Sequence, residues 1–327
     1  MIIKCDYRIA SETDGYRLLL RNKQLNGAQH RLPDNSVLFI HGATYGATST
    51  FDYEIEGASW MDKMAAQGFD VWCLDLLGYG ESDRPQEMLV SPDLNDPIVD
   101  TAHALAEVDR AVDFILKNRG INQLSLIGYS WGSAICGRYA GLFGSKVSRL
   151  VLSGPLWVEK GATPRTISAD IGAYRTVDAA TMAKRWAIGL SEDEINALVP
   201  PARVTRWCSD AVFADPMGNK SGLLRAPTGV LKDFMRYSLT GEPWYQPMAI
   251  QAPTQVVVGE LDRETTPEQA TKVFQQLGNA REKRMTVIGS GTHSLLLEDH
   301  RDALHSVVSG FLAGFGSLPD ILGNPLR

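Results

Sequence analysis

The sequence predicts an α/β fold: a mostly parallel sheet covered by helices on both faces and interrupted by one helical insertion. Three observations carry this. Short apolar runs that end in glycine alternate with helix-length segments whose apolar residues recur every three or four positions. Such alternation means crossover connections, and hence parallel strands buried on both faces. The rhythm stops near Pro155 and resumes at "APTQVVVGELD", Ala252 to Asp262.

The elements follow in order. "YRLLLRNKQL" is an early strand ending near Asn26-Gly27. "SVLFIHG", Ser36 to Gly42, is a continuous apolar run closed by glycine, the pattern of a strand buried on both faces. "SWMDKMAAQGF" is a short helix, and "DVWCLDLLGYG", Asp70 to Gly80, is a second buried strand ending in a glycine turn. Residues Thr101 to Asn118 form the clearest helix, with Leu105, Val108, Val112 and Ile115 on one face and Gly120 as its stop. "QLSLIGYS" is a strand that runs into a helix from Trp131, and "VSRLVLSGP" is the next strand. Residues 156–250 then show helix-like pieces and turns but no buried strand, and hold Trp157, Trp186, Trp207 and Trp244. A helix from Pro267 to Leu277, a strand in "KRMTVIGSGTH" and a last helix close the fold. The tail "GFGSLPDILGNPLR" is expected to lie over the surface. The division is therefore a core of residues 1–155 and 251–327 with a cap, or lid, of residues 156–250.

Composition narrows the function. The 327 residues are 44% hydrophobic and 21% charged, an ordinary globular balance that needs no metal or disulfide staple. The net charge of −6 argues against nucleic acid, since phosphate binding wants a basic face. Cys5, Cys73, Cys136 and Cys208 are too far apart for a zinc set or a redox pair, and fit a reducing compartment. The N-terminus shows no basic stretch followed by an apolar one, and no apolar run approaches the length that spans a bilayer. The expectation is a soluble cytoplasmic protein without membrane contact, acting on a small molecule, with a homodimer left open.

The chemistry begins at Gly128-Tyr129-Ser130-Trp131-Gly132, a G-x-S-x-G set between a predicted strand and a predicted helix. A turn that sharp strains the serine backbone, and side chains two positions either side would collide, so both flanking residues must be tiny. The helix behind it aims free N–H groups at the same spot. A serine hydroxyl needs a base. Of His30, His41, His103, His293, His300 and His305, only His293 follows a predicted strand in a Gly/Ser-rich loop. His300 and His305 read as solvated or packing residues, His103 as surface, and His41 as a brace for the loop after "SVLFI". The base needs a carboxylate. Asp262, just past a strand end, is preferred over Glu260, with Glu159 a third option. The oxyanion needs two donors: the backbone N–H of Trp131, and that of Ala43 in "HGATYGATSTFD", with Thr44 second. Thr44 and Tyr45, with Trp157, Trp186, Trp207 and Trp244 of the insertion, are the candidate substrate-binding residues, since aromatic side chains build apolar pockets.

With those residues in place, the chain resembles the α/β-hydrolase fold superfamily over nearly its full length. The resemblance rests on "FIHG" at 39–42, "DLLGYGES" at 75–82, "GYSWG" at 128–132, "VVVGELD" at 256–262 and "GTH" at 291–293. It implies an eight-stranded sheet with a cap inserted after the sixth strand, and a structural role for Asp75, Gly78, Gly80 and Ser82. It also implies a serine hydrolase working through an acyl-enzyme with no metal and no cofactor. Similar epoxide hydrolases and haloalkane dehalogenases carry aspartate where this chain has Ser130. Proline iminopeptidases share the elbow but carry an HGGPG-type loop, where this chain has His-Gly-Ala-Thr. A carboxylic ester of a small-to-medium apolar or aromatic substrate is the first expectation. Carbon–carbon bond hydrolysis of a diketone, amidase or aminopeptidase action, and a non-catalytic ligand receptor are the alternatives.

Overall fold

The structure is a computed structural model that describes residues 1–27, 35–161 and 171–314. His30 and the tail beyond Gly314 lie outside the described residues. The described residues form ten strands: β1 (Ile2–Ala10), β2 (Arg17–Leu25), β3 (Ser36–Ile40), β4 (Asp70–Leu74), β5 (Leu124–Tyr129), β6 (Val147–Ser153), β7 (Tyr174–Asp178), β8 (Leu223–Pro227), β9 (Thr254–Gly259) and β10 (Lys283–Ile288). Eight of them form one sheet in the order β1-β2-β4-β3-β5-β6-β9-β10. β2 runs antiparallel to both β1 and β4, and every other pairing is parallel.

The apolar runs sit where their pattern demands. All residues of β3, β4 and β9 are buried. The helix Thr101–Arg119 starts at Asp100, whose carboxylate accepts from the His103 N–H, and ends at Gly120 with φ 65°, a left-handed cap that suits glycine. β1 is the strand that the expectations above omit. It mixes Lys4, Asp6 and Arg8 with Cys5, Tyr7 and Ile9, so it shows the period of two of a half-exposed edge rather than an apolar run.

The segment between β6 and β9 is not purely helical. It contains the helices Ala179–Trp186, Glu192–Leu198, Pro201–Phe213, Gly218–Ser221 and Gly229–Thr240, and also a two-stranded antiparallel ribbon of β7 and β8. Neither ribbon strand is continuously buried, which is why neither shows as an apolar run. No helix of the described residues is long and apolar enough to cross a membrane. The four cysteines are free, with Cys73, Cys136 and Cys208 buried.

This topology sets the location of the site. The chain steps from β3 outward to β4, then returns to place β5 on the other side of β3. Ligand crevices in open α/β sheets form beyond the strand ends at such a reversal. The loops leaving β3, β5, β9 and β10 all open on that edge.

Candidate active site

β5 ends at the elbow. Ser130 has φ 56° and ψ −121°, a conformation L-residues rarely adopt. The flanking glycines explain how it persists. A Cβ on Gly128 would lie 2.3 Å from the Gly132 carbonyl oxygen, and one on Gly132 would lie 2.2 Å from the Ile40 carbonyl oxygen. Any larger residue at either position would push β5, β3 and the following helix apart.

His293 stands over the hydroxyl. Its Nε2 lies 3.0 Å from Ser130 Oγ, and its Nδ1 lies 2.8 Å from Asp262 Oδ2. Asp262 is buried and also accepts from the Glu264 and Thr265 N–H groups and the Thr265 hydroxyl. The carboxylate therefore accepts a hydrogen bond from Nδ1–H and leaves the Nε2 lone pair facing the serine. Burial pushes the His293 imidazole down, but the negative charges of Asp262 and Glu264 and the Asp262 hydrogen bond outweigh it, and the net shift is upward. Tyr129 stacks on the ring at 5.0 Å and donates its hydroxyl proton to the His293 carbonyl at 2.7 Å.

The other acids face elsewhere. Glu260 accepts from the Ser290 N–H, and Glu159 pairs with Lys272. His41 is fully buried: its Nδ1–H donates to the Gly42 carbonyl (2.7 Å), and its Nε2 accepts from the Leu76 N–H (3.2 Å). Both bonds suit a neutral ring, and burial lowers its pKa to about 4. His103 meets Glu107, and His305 stacks on Trp60, both away from Ser130. Asp75 gathers the N–H groups of Ala47 and Glu81, and a Cβ on Gly80 would lie 2.1 Å from its Oδ2, so this turn is packing.

The loop after β3 comes close enough that a Cβ on Gly42 would lie 3.1 Å from Ser130 Cβ. Ala43 lines the cavity beside Ser130, and Trp131 opens the helix whose first N–H groups have no intrahelical partner. The family profile of the alpha/beta hydrolase fold matches residues 35–300. The chain belongs to the alpha/beta hydrolase fold family.

Solved structures agree with this alpha/beta hydrolase fold. A serine hydrolase from the polyaromatic hydrocarbon-degrading bacterium Cycloclasticus zankles is 15% identical with a TM-score of 0.62, over 96% of this chain and 100% of that one. The 2-hydroxy-6-oxo-6-phenylhexa-2,4-dienoate hydrolase of Rhodococcus sp. strain RHA1 is 15% identical with a TM-score of 0.62, over 94% and 98%. An esterase from Exiguobacterium antarcticum is 17% identical with a TM-score of 0.60, over 95% and 100%. At such identities the likeness is one of fold. A comparison with curated protein sequences gives no match.

The cavity over Ser130 in this alpha/beta hydrolase fold has a volume of about 30 Å³. Thr44, Tyr45, Trp186 and Trp207, four of the expected substrate-binding residues, line it. Tyr45 meets Trp207 edge-on at 4.6 Å, and Trp186 meets Trp207 at 5.5 Å. The other two candidates are placed elsewhere. Trp157 packs against Tyr245, and Trp244, fully buried, packs against Tyr237, so both are core packing residues outside the cavity lining. Met182, Arg185 and Glu264 line the cavity without having been read as site residues. Glu264 was within reach, two positions after Asp262 on the same loop. Arg185 carries no sequence signal, because its place depends on how the insertion seats. Its guanidinium pairs with Glu264, Nε to Oε1 at 2.9 Å, which ties the insertion to the core beside His293. Trp186 makes a second tie, donating to the buried Glu298 that also accepts from the N–H of Thr292.

Proposed function

We propose that this chain is a serine hydrolase that cleaves a carboxylic ester of a small-to-medium apolar or aromatic substrate through an acyl-enzyme. The observation that carries the reading is the line of Ser130 Oγ, His293 and Asp262 at 3.0 and 2.8 Å. His293 Nε2 takes the proton of Ser130 as the oxygen attacks the ester carbon. Asp262 holds the tautomer and stabilises the imidazolium. The N–H groups of Ala43 and Trp131 bind the oxyanion, His293 protonates the leaving alcohol, and water repeats the sequence to release the acid. An ester asks least of this machinery, and the aromatic walls from Tyr45, Trp186 and Trp207 favour an apolar or aromatic group.

On this reading residues 156–250 are a cap over a core of residues 1–155 and 251–327. The cavity over Ser130 is narrow, about 30 Å³, and Met182, Arg185, Trp186 and Trp207 of this segment form one side of it, so the segment's seating sets the room left for substrate.

The test is a fluorophosphonate probe together with a panel of p-nitrophenyl esters of graded chain length, aryl amides and a diketone. Covalent labelling at Ser130 with turnover of the esters is expected. No labelling at any pH from about 6 to 9 would leave a binding protein as the better account.

A further inference from the structure

Two guanidinium groups converge on one hydroxyl in the cavity. Arg175 Nη2 donates to Thr44 Oγ1 at 2.8 Å, and Arg185 Nη1 donates to the same oxygen at 3.1 Å. A threonine oxygen offers two lone pairs and one proton. Here both lone pairs are taken by groups that can only donate, so the proton is the one hydrogen-bonding function left to Thr44. No acceptor among the described residues takes it. Thr44 is buried, yet its side of the loop lines the cavity with Ala43, Ser130 and His293.

Charge sharpens the point. Arg185 is balanced by Glu264. Arg175 has no carboxylate partner among the described residues, and its other bonds end on the Ala43 carbonyl (2.7 Å) and the Pro227 carbonyl (3.1 Å). A guanidinium is not deprotonated in proteins, so an unneutralised positive charge lies behind the loop that carries Ala43. Bonds from cationic donors polarise the hydroxyl they reach and make its own proton a stronger donor. That polarisation is worth most to an acceptor that gains negative charge.

We infer that the Thr44 hydroxyl is a third donor, from a side chain, to the substrate oxygen that becomes negative when Ser130 attacks, and that Arg175 and Arg185 of the inserted segment fix it in that role. The inference rests on the hydrolase reading above. The proton stays on Thr44 throughout, so no bond to it is made or broken. Thr44 is then a catalytic residue, and the two arginines are positioning residues that join the seating of the insertion to the chemistry.

The experiment compares Thr44→Val, which keeps shape and loses the proton, with Thr44→Ser, which keeps the proton and loses a methyl. The readouts are kcat and KM on a p-nitrophenyl ester and inhibition by a phenylboronic acid, whose adduct with serine carries the negative oxygen. Removing one donor of this kind costs about 100-fold in kcat, so Thr44→Val is expected to fall by that order, with boronate binding weakened in step and KM little moved. Thr44→Ser should stay within about fivefold of the parent, since the donor remains. A loop-packing role gives the reverse order, and a Thr44→Val enzyme as fast as the parent overturns the inference. Should Thr44→Val not fold, Arg175→Met frees one lone pair and lets the hydroxyl turn; an unchanged kcat there overturns it equally. Ser130→Ala is the control that separates the two levels. Retained activity in that variant sinks the hydrolase reading itself, whereas an inactive Ser130→Ala beside a fully active Thr44→Val sinks only the role of Thr44.

Discussion

The cavity has two walls of different origin. One is the edge of the sheet, where Ala43, Ser130, Asp262 and His293 each leave a different strand within a few residues of its end. The other is the inserted segment, which contributes Met182, Arg185, Trp186 and Trp207 from two helices. Backbone hydrogen bonding fixes the first wall: β3 pairs with β5, and β9 with β10, in parallel register. The second is held by side-chain ties, among them Arg185 to Glu264, Arg175 to Ala43, Trp186 to Glu298 and Trp207 to the Ser49 carbonyl, with single backbone bonds at its margins from Ala173 N–H to the Pro92 carbonyl, Gly229 N–H to the Ile98 carbonyl and Asp299 N–H to the Leu198 carbonyl. A sheet register cannot slip without turning every side chain over, whereas separate ties of this kind can part and reform one by one. On the proposed reading, the rigid wall carries the bond-breaking groups and the detachable wall selects the substrate.

The largest test of that division is Ser130→Ala. Members of such a unit act together, so the loss in kcat should be about 10⁶-fold, measured on the best ester of the panel. Thermal unfolding should show no destabilisation, because the hydroxyl closes no packing gap and the strained backbone is unchanged. A fall in Tm together with activity would mean that Ser130 is structural.

A smaller effect separates two tryptophans of the inserted segment. Trp207 and Trp244 are both buried, but only Trp207 lines the cavity. Truncating either to alanine should cost about 3–5 kcal/mol in stability, read by denaturant unfolding. Only Trp207→Ala should change substrate preference. An aromatic contact is worth about 0.5–1.5 kcal/mol, so KM for an aryl ester should rise roughly 2- to 10-fold relative to a short alkyl ester. If Trp244→Ala shifts that ratio as much, the distinction between cavity wall and core packing fails.

The same contrast explains what the sequence disclosed. Ser130, Asp262, His293 and Ala43 were legible because each sits at a fixed offset from an apolar run that can be read directly. The elbow glycines were legible because sterics allow nothing else there. The eight-stranded sheet was expected through the family resemblance, although β1 was hidden by its half-exposed alternation. In the insertion, aromatic content alone nominated Trp157, Trp186, Trp207 and Trp244, and composition cannot say which of them face inward. Arg175 lies on the ribbon strand β7, and Arg185 near the end of the helix Ala179–Trp186, between the exposed Lys184 and the buried Trp186. Their meeting on Thr44 depends on tertiary seating, to which no local pattern corresponds.

The finest test acts at the seam between the two walls. On the proposed reading His293 must be neutral to accept the proton of Ser130, so kcat/KM should rise with pH through its pKa. Burial lowers that pKa, the Asp262 and Glu264 charges and the Asp262 hydrogen bond raise it, and Arg185 lowers it in turn. The net shift is upward, which puts the acid limb of the profile above the ordinary histidine value of about 6.5. Glu264→Gln removes one raising charge and leaves Arg185 unbalanced, so the limb should move to lower pH and the variant should keep more of its plateau activity in mild acid. Arg185→Met removes a lowering charge and should move the limb to higher pH. Opposite displacements cannot come from a general loosening of residues 156–250, which would change both variants in the same sense. Because two-fifths of the Arg185 side chain is open to solvent, its displacement should be the smaller and should fade in high salt. Profiles of the two variants that coincide with the parent would show that the seam is electrically silent and that the insertion acts on the base through shape alone.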